Sequence, residues 1–125
     1  MKKIVIMMLL FASTNVLAEW TRLGGTDDST GYVDIQSIRK NGNKVKMWKL
    51  VDYKTAQDRS YLSILVREEY DCLEETKRSL DMYAYSGNMR NGDIVFSNAN
   101  ITEQPKTVLP GSNGEGLLKI ACGGK

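Results

Sequence analysis

The sequence predicts an α+β domain, a mostly antiparallel sheet of about five or six strands with one C-terminal helix packed on one face and disulfide-linked to it. Three observations predict this. Runs with period-two alternation fill the middle of the chain, separated by Gly, Asn and Asp turn signals. A capping box opens a stretch of apolar residues at helical spacing near the C-terminus. Cys72 and Cys122 fall at the end of one strand run and at the end of that helix. Several strands followed by one terminal helix is the order of an α+β fold.

Residues 1–18 do not belong to that fold. Lys2 and Lys3 form a positive start, Ile4 to Phe11 is an unbroken apolar run, and Val16-Leu17-Ala18 offers a peptidase site. This three-part pattern is a secretory signal, with cleavage expected after Ala18. The apolar run is too short for the roughly 20 residues that span a bilayer, so no stable membrane insertion is expected. No cysteine follows Ala18 to accept an N-terminal lipid, so the expected location is the periplasm or the cell surface. Residues 19–125 then make one domain with a modest core. Export places its two cysteines in an oxidising compartment, where Cys72 and Cys122 read as one disulfide. Closing so long a loop contributes up to roughly 4 kcal/mol in the chain-entropy model.

The strands follow in order. Trp20 opens a first candidate, ahead of the polar loop at Gly24-Gly25 and Asp27-Asp28. A short strand is expected from Gly31 to Ile35. Asn41-Gly42 is a strong hairpin dipeptide, since both central positions of a type I′ turn need positive φ. It precedes a strand from Lys44 to Tyr53, with Val45, Met47, Val51 and Tyr53 on one parity and Trp48 and Leu50 on the other. Further strands are expected from Tyr61 to Cys72, from Lys77 to Tyr85, and, after the hairpin dipeptide Asn91-Gly92, from Asp93 to Ser97. Pro110-Gly111 ends the sheet region. Ser112 and Glu115 have the spacing of a capping box, Leu117, Leu118, Ala121 and Cys122 follow at helical spacing, and Gly123-Gly124 stops the helix.

Composition narrows the function classes. The net charge of +2 is accounted for by Lys2 and Lys3, and no basic run is present, so no nucleic-acid partner is expected. The chain has no histidine, which removes the commonest general base and the commonest zinc ligand. No metal site, cofactor or catalytic residue is expected. Glu68, Glu69, Asp71, Glu74 and Glu75 cluster around Cys72, but a strand end running into a solvated turn accounts for them better than a carboxylate-pair hydrolase. A calcium loop would need a glycine that the cluster lacks.

Parity singles out one candidate surface. Leu62, Ile64, Val66 and Tyr70 share a face with Cys72, with Glu68 the one polar exception. The opposite parity carries Tyr61, Ser63, Leu65 and Arg67. The next strand is expected to split Leu80, Met82 and Ala84 toward the helix from Asp81, Tyr83 and Tyr85 away from it. A single helix covers one face of such a sheet, so Arg67, Tyr83 and Tyr85 are candidate binding residues for a protein partner or a second copy of the chain. A bulge near Glu68 would invert the parity beyond it.

Several short segments also carry a family likeness. They are Gly31-Tyr32-Val33-Asp34 with Ser37-Ile38, Val45-Lys46-Met47-Trp48, Glu69-Tyr70-Asp71-Cys72 with Arg78, Gly92-Asp93-Ile94-Val95-Phe96-Ser97, and Pro110-Gly111-Ser112 leading through Gly114-Glu115 to Ala121-Cys122. In this order and spacing the mature chain, from Trp20 to Cys122, resembles the surface-adhesin protein E family of Gram-negative bacteria. The resemblance implies an antiparallel sheet with a disulfide-tied C-terminal helix, and adhesion to host extracellular-matrix and plasma proteins. The rival reading is a periplasmic inhibitor or accessory protein that binds an envelope enzyme.

Overall fold

The computed structural model describes residues 19–123, so the signal segment expected over residues 1–18 lies outside the described residues, as does Gly124. Eight strands form one antiparallel sheet, two more than the upper expectation. They are β1 (Trp20–Gly25), β2 (Ser29–Asp34), β3 (Arg39–Asn41), β4 (Lys44–Tyr53), β5 (Ser63–Asp71), β6 (Thr76–Tyr85), β7 (Ile94–Asn98) and β8 (Lys106–Thr107), followed by helix α1 (Asn113–Ala121). The sheet order is β1-β2-β4-β5-β6-β7, with β3 on β4 and β8 on β6. β3 and β8 are the unexpected strands. Both are short and fully exposed, so no apolar alternation marks them.

Both faces of the sheet carry apolar clusters. On one, α1 lays Leu117, Leu118 and Ala121 against Val33, Val45, Met47 and Tyr70. The helix starts where its sequence says it should. Ser112 Oγ accepts from the Glu115 N–H, while Glu115 Oε1 reaches back to the Gly111 N–H, one residue before the usual target of a capping box. Gly123, at φ +79°, ends it. The disulfide joins Cys72 to Cys122 across this interface, with Cα atoms 5.8 Å apart.

The hairpin dipeptides act differently from expectation. Asn41 pairs with Lys44, so Gly42 and Asn43 are the central residues of the β3–β4 turn, and only Gly42 has positive φ. Asn91-Gly92 makes no two-residue turn. It ends a longer connection, Ser86 to Asp93, whose middle is a short 3-10 turn at Asn88–Arg90. Side chains from the sheet impose that shape. Asp52 Oδ1 accepts from the Asn88 side-chain amide and the Met89 N–H, and Ser63 Oγ accepts from the Arg90 N–H while donating to the Gly87 carbonyl. The turn is thereby folded over the face opposite α1.

A register shift lies between Arg67 and Glu68, on the β6 side. Arg67 faces Asp81 and Glu68 faces Ser79, so Leu80 is the extra residue. The expected grouping of Leu80 with Met82 and Ala84 is corrected accordingly. Met82 and Ala84 pair with Val66 and Ile64 on the helix-bearing face, and Leu80 has no partner across the ladder.

Candidate protein-binding face

The face away from α1 is built from residues that the register lines up across the sheet. Directly opposed residues share a face. One rung runs Arg22, Tyr32, Leu50, Leu65, Tyr83, Ser97 from β1 to β7. Beside it lie Trp48, Arg67 and Asp81 on one side and Ser63, Tyr85 and Ile94 on the other. Trp20, opposite Asp34, extends the aromatic row at the β1 edge. Leu50, Leu65 and Tyr85 are buried as a second apolar cluster, with Trp20, Tyr32, Trp48, Tyr83 and Met89 half-buried around it.

A trough of about 460 Å3 crosses this face, lined by Trp20, Asp34, Trp48, Leu65, Tyr83, Tyr85, Arg90 and Ile94. The Trp48 and Tyr83 rings lie 6.2 Å apart, tilted by 39°. The Arg67 guanidinium sits 5.7 Å from the Trp48 ring and donates to Asp81 Oδ1 at 3.0 Å. Arg90 covers the Tyr85 ring at 5.5 Å. The Arg67–Asp81 pair, in which Asp81 is buried, and the two cation–π contacts place guanidiniums against the Trp48 and Tyr85 rings.

All three candidate binding residues fall on this one face. Arg67 and Tyr83 are half-buried, as an open surface allows. Tyr85 is covered: at 9% exposure it is packed beneath the Asn88–Arg90 turn, and its expected outward display is corrected. Tyr61 does not join the face, because β5 starts only at Ser63. Its ring instead stacks edge-on between Tyr53 and Phe96. Trp20, Trp48, Asp34 and Arg90 were not singled out from the sequence as binding residues. The one available signal was Trp48, whose parity opposes Val45 and Met47 in a strand apolar on both faces.

The acidic cluster around Cys72 resolves into structural contacts. Glu68 is buried on the helix-bearing face, 3.2 Å from Lys49 Nζ and 2.6 Å from the Tyr70 hydroxyl that donates to it. Glu69 pairs with Arg78, and Asp71 accepts from the Leu73 and Glu74 N–H groups of the β5–β6 turn. Among the described residues no group of three His, Cys, Asp or Glu side chains is placed to hold a metal ion. No helix among them is long and apolar enough to cross a membrane.

The comparisons agree with this architecture. The family model of surface-adhesin protein E matches residues 20–123. The chain belongs to the surface-adhesin protein E family. No curated protein matches the sequence. Solved structures of Haemophilus influenzae protein E share the fold. Crystal form II is 16% identical with a TM-score of 0.63, over 91% of this chain and 94% of that one. The selenomethionine form is 15% identical with a TM-score of 0.64, over 91% and 93%. At this identity the likeness shows the fold alone.

Proposed function

We propose that the mature protein is an exported, non-enzymatic adhesin that attaches to a host matrix or plasma protein through the trough face opposite α1. The observation that carries this reading is the row of half-buried Trp and Tyr rings flanked by arginines. Such a face is enriched in the residues that anchor protein interfaces, Trp, Tyr and Arg. Family membership supports adhesion as the purpose. Cysteine pairing and the N-terminal signal support export.

The test pairs Trp48→Ala with Tyr83→Ala and measures capture of plasma and matrix proteins by the folded domain, alongside capture from envelope extract. The expected outcome is loss of plasma or matrix capture by a domain that still unfolds cooperatively, at a lowered melting temperature because both rings pack on the Leu50, Leu65 and Tyr85 cluster. Unchanged capture would move the partner to the loops around Gly24-Gly25 or Asn98. Specific capture from envelope extract alone would replace the adhesin by a periplasmic accessory protein. Self-association lost in the double variant would assign the face to a second copy of the chain.

A further inference from the structure

We propose that a second site lies on the helix-bearing side of the sheet: the cavity between α1 and the β1–β2 hairpin takes an alkyl chain that ends in a carboxylate. The site is separate from the trough and does not depend on the adhesive reading.

The cavity has a volume of about 470 Å3, within the roughly 300–1,000 Å3 of small-molecule sites. One wall is a flank of α1. Asn113, Gly116, Leu117 and Ile120 recur at i, i+3, i+4 and i+7, so a single stripe of the helix borders the cavity. At 1.5 Å per residue that stripe is about 10 Å long, room for an extended chain of medium length. The opposite wall is sheet. Gly24 and Gly31 oppose each other on β1 and β2, and Val51 on β4 pairs with Gly31. Leu23, the extra residue where β1 shifts register, also lines the cavity and is 39% exposed.

The glycines carry the inference. A Cβ at Gly24 or Gly116 would meet nothing within 4 Å, and one at Gly31 only the Gly24 carbonyl oxygen at 3.9 Å. None of the three has positive φ. Gly25, which also lines the cavity, differs: a Cβ there would lie 2.7 Å from the Ser29 carbonyl oxygen. Neither backbone conformation nor packing within the fold therefore calls for glycine at 24, 31 and 116. Glycine weakens strand and helix interiors, and within a strand it often marks the close approach of a ligand. Three such positions around one cavity keep open a space that side chains would otherwise fill.

The lining selects the occupant. Lys49 is its one charged residue. The ammonium lies 3.2 Å from Glu68 Oε2, and Glu68 is also held by the Tyr70 hydroxyl. An ammonium has three protons to donate, so Lys49 can serve a second carboxylate. Two of the hydroxyls in the lining are committed within the fold. Thr26 Oγ1 accepts from the Asp28 and Ser29 N–H groups, and Ser112 Oγ caps α1 while donating to the Leu109 carbonyl. The remaining walls are largely Leu, Val and Ile side chains and glycine backbone, which suit methylenes better than a sugar or a peptide.

The experiment is calorimetric titration of the folded, oxidised protein with three probes below their micellar concentrations: decanoate, decyltrimethylammonium and acetate. Saturable one-to-one binding of decanoate is expected. The chain-matched cation should bind at least about tenfold more weakly, and acetate not measurably. Gly116→Leu fills the cavity from the helix and Gly24→Val fills it from the sheet. Each should weaken decanoate by about tenfold or more, and Gly116→Leu should do so with a melting temperature that is unchanged or raised, because leucine is the better helix former. Trp48→Ala, on the opposite face, should leave decanoate binding as it is. No decanoate binding, equal binding of the two alkyl probes, or binding indifferent to both filling substitutions would each overturn the proposal. Loss of decanoate binding in Trp48→Ala alone would move the ligand to the trough and overturn it too. Sedimentation with phosphatidylglycerol vesicles in place of decanoate binding would overturn it in favour of a lipid surface.

Discussion

Glu68 shows what a single residue contributes and how much of it the sequence discloses. Parity marks it as the polar exception on an apolar face, but only the register of β4 on β5 brings Lys49 and Tyr70 to it. Burial by itself would raise its pKa. The Lys49 ammonium and the Tyr70 hydroxyl outweigh burial and hold the carboxyl below its ordinary value. A carboxyl with a lowered folded pKa stabilises the fold above its unfolded value, and that stabilisation is lost as pH falls through the folded value. The melting temperature should therefore fall as the pH drops through the ordinary carboxyl range and on below it. Glu68→Gln, which leaves Lys49 without its counter-charge, should cost about 2 kcal/mol at neutral pH and flatten this acid limb. An acid limb equally steep in the variant would mean that other carboxylates cause it. Tyr70 moves the other way, raised by burial and by the Glu68 charge, so it stays a hydroxyl donor at neutral pH.

Among the elements, those with an apolar period were legible and those without one were not. β4 spans Lys44–Tyr53 as its alternation predicts, and the capping residues Ser112 and Glu115 locate the start of α1. β3 and β8 carry charged, exposed residues, and nothing in three or two such positions distinguishes a strand from a loop. Asn91-Gly92 failed as a tight hairpin for a different reason: hydrogen bonds from Asp52 and Ser63, distant in sequence, set the conformation of the preceding turn. The bulge at Leu80 was foreseen only as a risk on β5 near Glu68, and it fell on the partner strand. α1 has two glycines and relies on its tertiary contacts. Its anchoring predicts that Cys122→Ser lowers stability by about 2–4 kcal/mol, measured by denaturant unfolding of the oxidised wild type against the variant. Equal midpoints would show that packing of Leu117 and Leu118 suffices without the bond.

At the scale of the molecule, one helix and one disulfide close one face of the sheet, and the other face keeps its rings at the surface. Arg67 and Tyr83 could be assigned to that face from parity alone. Convergence of Trp20, Trp48 and Arg90 with them could not, because it depends on strand order and on a turn held by distant side chains. On the proposed reading the partner meets this face and leaves the helix-bearing one untouched. The protein has two tryptophans, Trp20 and Trp48, and both line the trough. The most direct measurement is therefore the NMR spectrum of the 15N-labelled protein as the recovered plasma or matrix protein is added. Both indole N–H signals should shift or broaden while the backbone amides of Leu117, Leu118 and Ala121 stay in place. Unmoved indoles beside perturbed α1 amides would contradict the account.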